Sequence, residues 1–176
     1  MPAQDDARPG VAPSPEVVRD PLYDVVDPES FTPRLLALLS NALVWRESQE
    51  LRREFGLGTN EWRVLSALAT RPGSSASEVS EFLGVNKAIV SKSVNTLAER
   101  RLIALFDGPR GSRPMHLTPS GAQLHHEMRP ISMRGQEVIL AGMTEAEIAQ
   151  FNTALQRRSF SYPSWRLPTS LCPSFR

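Results

Sequence analysis

Residues 74–106 read SSASEVSEFLGVNKAIVSKSVNTLAERRLIALF. Val79, Phe82 and Leu83 recur at helical spacing behind Ser75 or Ser77, either of which can act as N-cap, and Glu78 is placed to complete a capping box. This predicts a first helix of about two turns. Gly84 supplies the backbone freedom that a sharp helix-to-helix turn requires, Val85 can fill the angle between the helices, and Asn86 is a good N-cap for a second helix starting near Lys87. At about 100° per residue, Val90, Val94, Leu97 and Arg101 lie on one side of that helix, whereas Lys87, Ala88, Ser91, Lys92 and Asn95 occupy an arc of about 140° on the other.

After Leu102 the helical pattern stops. Ile103 and Leu105, then Met115 and Leu117, read as two short strands around the turn-rich segment Asp107-Gly108-Pro109-Arg110-Gly111-Ser112-Arg113. Two helices joined by a tight turn and followed by a hairpin form a winged helix-turn-helix, an arrangement that reads DNA. The outward face of the second helix suits a major groove. Lys can reach guanine or a phosphate, Asn95 can form two hydrogen bonds with adenine, Ser91 can contact either, and Ala88 can touch a thymine methyl. Arg110 or Arg113 would reach a phosphate or the adjacent minor groove.

A polar stripe alone is as a rule a solvated helix face. Here Lys87, Lys92, Arg100, Arg101, Arg110 and Arg113 stand between Asn86 and Arg113 against Glu99 and Asp107, in a chain of formal charge +1. Positive charge is concentrated where DNA would lie. The candidate DNA contacts are Ser77, Lys87, Ala88, Ser91, Lys92, Asn95, Arg110 and Arg113.

The chain resembles the MarR family of transcription regulators through Glu61-Trp62-Arg63-Val64-Leu65, Leu83-Gly84-Val85-Asn86-Lys87, Val90-Ser91-Lys92, Leu97-Ala98-Glu99-Arg100-Arg101-Leu102-Ile103 and Leu117-Thr118-Pro119-Ser120-Gly121. The resemblance runs from about Phe31 to Arg158. It implies a homodimeric regulator, usually a repressor released by a small ligand. The wing departs from the family pattern, because Gly108-Pro109 separates Asp107 from Arg110, so the choice between Arg110 and Arg113 stays open. Ala88 and Ile89 stand where relatives often carry Ser and Thr.

With 176 residues, 40% of them hydrophobic, the chain can build one small domain with tails. Residues 1–30 are rich in Pro and acidic groups and read as a loosely packed arm. From Phe31, Leu35, Leu38, Leu39, Ala42, Leu43 and Leu51 mark a helix ending near Gly56, and a second helix from Thr59 to Thr70 turns Trp62, Leu65 and Leu68 inward. Beyond the wing, residues 119–141 form a long helix with Leu124, Met128 and Ile131 inward and Pro130 as a point of bending. Thr144 and Glu147 cap a last helix carrying Ile148, Phe151 and Leu155. The fold class is mainly α, a winged helix-turn-helix with a small antiparallel β-hairpin, the DNA-reading lobe at 59–118 and dimerisation helices at 31–56 and 119–158. The apolar faces of those flanking helices exceed what one lobe can cover, which predicts a two-fold homodimer. Its recognition helices would enter successive major grooves about 34 Å apart on a pseudo-palindromic operator.

By resemblance, a small-molecule effector would sit between the dimerisation helices and the DNA-reading lobe, with Asn41, Trp45, Arg46 and Trp62 as candidates. An arginine beside tryptophans can hold the carboxylate of an aromatic acid, and the resemblance implies aromatic acids or their thioesters as ligands; the plainer alternative makes Arg46 a surface residue and the tryptophans core. His116, His125 and His126 raise a metal-responsive alternative, yet adjacent histidines point to different sides of a helix. Cys172 lies in a Pro/Ser-rich tail at 159–176 whose aromatics Phe160, Tyr162, Trp165 and Phe175 follow no period. There is no Gly-rich phosphate loop, metal-ligand cluster or nucleophile–base set, so neither an enzyme nor a cofactor is expected. No basic and apolar leader opens the chain and no apolar run approaches the roughly 20 residues that span a bilayer, which predicts a cytoplasmic protein without a membrane partner. A winged helix that binds protein instead of DNA is a further alternative, opposed by Lys87, Lys92, Arg110 and Arg113.

Overall fold

A computed structural model describes residues 17–159. In chain order the elements are α1 (Thr32–Phe55), α2 (Thr59–Thr70), α3 (Ala76–Leu83), α4 (Lys87–Glu99), β1 (Ile103–Leu105), β2 (Met115–Leu117), α5 (Pro119–Leu140) and α6 (Glu145–Ser159). Cys172 and the tail aromatics lie outside the described residues, as do residues 1–16. The described residues divide into two compact units between Ala37 and Leu38.

In the first unit, Asp27 organises the entry into α1. Its carboxylate accepts the Ser30 hydroxyl at 2.6 Å and the Glu29 N–H at 3.0 Å, which holds its pKa below the ordinary range, the Ser30 bond acting most strongly. Such a carboxylate-centred turn satisfies donors that the first helical turn cannot.

In the second unit the core is a single apolar cluster built from Leu51, Leu57, Trp62, Leu65, Leu68, Val79, Val90, Val94, Leu97, Met115, Met128 and Ile131. Leu51 comes from α1, Leu57 from the turn between α1 and α2, Met128 and Ile131 from α5, and the rest from the α2–β2 segment. Both flanking helices are therefore anchored on the same core as the helix-turn-helix. The strands pair antiparallel with Ile103 opposite Leu117 and Leu105 opposite Met115. Residues 73 and 74 dock on the free side of β2, since Gly73 N–H donates to Met115 O (2.8 Å) and Met115 N–H to Ser74 O (3.1 Å).

Helix starts follow the capping chemistry of the sequence. Ser75, not Ser77, caps α3: its hydroxyl accepts the Glu78 N–H, while Glu78 accepts the Ser75 N–H at 2.7 Å. That reciprocal pair keeps the Glu78 carboxyl below its ordinary pKa, the Ser75 backbone bond acting most strongly. Thr144 and Glu147 repeat it ahead of α6. Thr118 begins α5 by accepting the Gly121 N–H and is itself fastened to the carbonyls of Arg101 and Leu102. The helix runs on through Pro130.

Two inward placements differ from the pattern. Phe82 is 42% exposed, and the arginine that ends α2 partly shields its ring: the Arg71 guanidinium carbon lies 4.1 Å from the centroid. Arg101 belongs to neither face of α4, since the helix stops at Glu99 and Arg101 turns the chain at φ +58°.

Candidate nucleic-acid interface

The local sequence explains why α4 stands where it does. Gly84 ends α3 in the left-handed region at φ +63°, a conformation that costs glycine little. Its neighbour Val85 is locked from both sides: its N–H donates to Ser80 O at 3.2 Å, and its carbonyl accepts the Ser80 hydroxyl at 2.7 Å. Asn86, in extended conformation, then accepts the Ala88 N–H at 2.8 Å and starts α4.

Val90, Ser93, Val94 and Leu97 form the buried stripe of α4. Lys87, Ala88, Lys92 and Asn95 are exposed and Ser91 is half-buried. Ser77 is exposed on the first turn of α3. In the wing, Phe106 N–H donates to Pro114 O and Gly108 N–H to Ser112 O, and a single 3-10 turn at Pro109–Gly111 tops the loop. Arg113 is exposed beside that turn; Arg110 lies in it, its side chain outside the described part.

Two charged residues have structural roles that the sequence left unread. Arg100, counted with the basic face, directs its guanidinium away to the carbonyls of Phe55 (3.0 Å) and Gly56 (2.9 Å). Glu61 accepts the Ser93 hydroxyl on one oxygen at 2.7 Å and the Gly58 N–H on the other at 2.9 Å. Ser93 was legible in principle, as a polar residue three after Val90 on the apolar stripe.

The four effector candidates lie on two helices. Asn41 and Trp45, one turn apart on α1, are both exposed, Trp45 at 69%. Arg46 reaches Glu50 at 3.3 Å, and Glu50 also binds Arg134 of α5 at 2.7 Å. The Arg134 hydrogen bond, then the Arg46 one, holds the Glu50 carboxyl below its ordinary pKa. Trp62 is 7% exposed, its ring stacked 4.9 Å from that of His125. Burial lowers the His125 pKa, helped by the charges of His126 and Arg129. His116 meets the edge of Phe106, and among the described residues no three potential ligands gather into a metal site. None of the described helices is long and apolar enough to cross a membrane.

An exposed, basic, Asn-capped helix behind a tight turn, with an arginine-bearing hairpin beside it, defines a winged helix-turn-helix protein. The MarR family model matches residues 55–113, from the end of α1 through the wing. Over those residues, and in its fold, the chain is similar to MarR-family transcription regulators. It is 29% identical over 94 residues, 52% of its length, to a Thauera aromatica protein whose proposed role is transcriptional regulation of the hcr operon; the match spans 57% of that relative. The crystal structure of a MarR/EmrR family transcriptional regulator from Acinetobacter sp. ADP1 superposes with a TM-score of 0.71 at 25% identity, over 77% of this chain and 97% of that one. BpsR of Bordetella bronchiseptica, whose DNA binding is regulated by 6-hydroxynicotinic acid, superposes with a TM-score of 0.67 at 23% identity, over 78% and 99% of the two chains.

Proposed function

We propose that the protein is a homodimeric, sequence-specific transcription regulator that reads a pseudo-palindromic operator through α4 and the wing, and that it represses until a small ligand releases it. The observation that carries this is the exposed face of Lys87, Ala88, Lys92 and Asn95 on a helix whose opposite face is core. Lys92 and Arg113 supply phosphate affinity, Arg110 or Arg113 enters the minor groove, and Lys87, Ser91 and Asn95 read bases, with Ser77 at the backbone. The lobe at 59–118 reads DNA, and the flanking helices join the two copies. Exposed Leu38 and Leu39 of α1 and Met133 and Val138 of α5 support that interface.

The ligand is an aromatic acid or its thioester, held near Asn41, Trp45, Arg46 and Trp62; the likeness to BpsR favours this class. An incoming carboxylate would compete with Glu50 for the Arg46 guanidinium. That exchange would loosen the Glu50–Arg134 link between α1 and α5.

The test is selection of genomic fragments by the purified protein near physiological salt, beside a Lys92→Ala/Arg113→Ala variant. Enrichment of a few pseudo-palindromic sites by the wild type alone is expected. No enrichment above the variant would overturn DNA reading in favour of a protein-binding winged helix.

A further inference from the structure

The recognition helix α4 is fastened to the elbow between α1 and α2 at two separate points. At the first, the buried Ser93 hydroxyl donates to Glu61 at 2.7 Å, and the other oxygen of Glu61 accepts the Gly58 N–H. At the second, Arg100, the residue that ends α4, gives two N–H groups to the carbonyls of Phe55 and Gly56. Those carbonyls close the last turn of α1, where acceptors have no helical donor and the helix dipole favours a cation. A planar guanidinium can give two N–H groups in fixed geometry to adjacent carbonyls. Gly56 makes room for it: its φ is +63°, and a Cβ there would stand 3.3 Å from the Arg100 guanidinium.

Ser93 and Arg100 are seven residues apart, about 10 Å along a helix. One attachment leaves a helix free to pivot, whereas two fix the direction of its axis. Between them an open groove of about 590 Å³ separates elbow from helix, lined by Arg52, Gly56, Glu61, Lys92, Ser93 and Thr96.

We propose that the elbow Phe55–Glu61 is a two-point bracket that sets the angle at which α4 meets DNA, and that Arg100 is its outer fastening, a positioning residue and not a phosphate contact. The inference rests on the DNA-reading function proposed above. Because the bracket is the end of α1, it also delivers any shift of that helix to the recognition surface.

Salt dependence separates positioning from contact. A lost phosphate contact weakens all DNA and flattens the salt slope by about one unit per half-site. A tilted helix loses base contacts but keeps its cations. Arg100→Met should therefore weaken binding to the selected operator by about tenfold, the scale of one charge-assisted bond, with the slope and binding to random DNA unchanged. Arg100→Lys should fall between Met and wild type. Ser93→Ala removes the inner fastening with minimal change of volume and should show the same pattern, so a poorly folded Arg100→Met protein does not shelter the proposal. A slope reduced in Arg100→Met, or operator affinity unchanged in both well-folded variants, overturns the bracket while leaving DNA reading intact. A wild type that selects no sites overturns both.

Discussion

Arg101 is the non-glycine residue with positive φ among the described residues, at +58°. A side chain in that region costs about 1 kcal/mol that glycine avoids, although glycine loses more conformational freedom on folding. Arg101→Gly should raise stability by about 0.5 kcal/mol net, read as a higher urea midpoint at unchanged slope. At His125, burial favours the neutral ring, so the folded pKa lies below the ordinary value near 6.5. The unfolded chain thus takes up a proton at higher pH than the folded one, and stability falls as pH drops below about 6.5. Urea midpoints at pH 7.5 and 5.5 should differ in that direction, and His125→Phe, which keeps a ring against Trp62, should reduce the difference. An equal or larger difference in that variant would locate the titration elsewhere.

Among the elements, the join between wing and α5 depends on two residues one turn apart. Thr118 accepts the Gly121 N–H and holds the carbonyls of Arg101 and Leu102, so Thr118→Ala should cost about 1–2 kcal/mol as lost cap and link together. Gly121 is buried against the Leu102 backbone, and a Cβ there would overlap the Leu102 carbonyl. Gly121→Ala should therefore cost more, about 3 kcal/mol, because the obstruction is main chain that cannot rotate away. Chemical denaturation of the two variants tests the order. A milder Gly121→Ala would mean that α5 can move off the wing.

For the molecule as a whole, the apolar faces of the flanking helices argue for a second copy. Leu38 and Leu39 are 50% and 37% exposed, whereas Leu65, Leu68, Leu97 and Leu102 of the winged-helix lobe are buried. Charges introduced there, Leu38→Glu/Leu39→Glu, should give a monomer by sedimentation with helical content retained. The same variant should lose operator binding by at least about a hundredfold, since one half-site supplies only half of the contacts. A variant that stays dimeric would move the interface away from α1. Salt titration of Lys92→Ala should flatten the slope by about one unit per half-site, and Asn95→Ala should weaken the operator more than random DNA. Equal weakening of both would remove Asn95 from base readout.

The amino-acid pattern by itself determined the helices of the lobe, the tight turn at Gly84, the N-cap at Asn86, the capping pairs before α3 and α6 and the outward face of α4. Each depends on neighbours within about four residues, where periodicity and capping chemistry act. Tertiary structure alone decided which basic residues remain available. Arg100 and Lys92 read alike in the chain, but the carbonyls that engage Arg100 lie 44 and 45 positions earlier. Phe82 matched the apolar spacing yet stays exposed outside the core, where Arg71, eleven residues away, stacks on its ring. Glu61 reads as an ordinary first-turn acid until Ser93, 32 residues later, arrives beside it. Spacing along a chain records which face a residue occupies, whereas the partner waiting on that face is set by how distant segments pack.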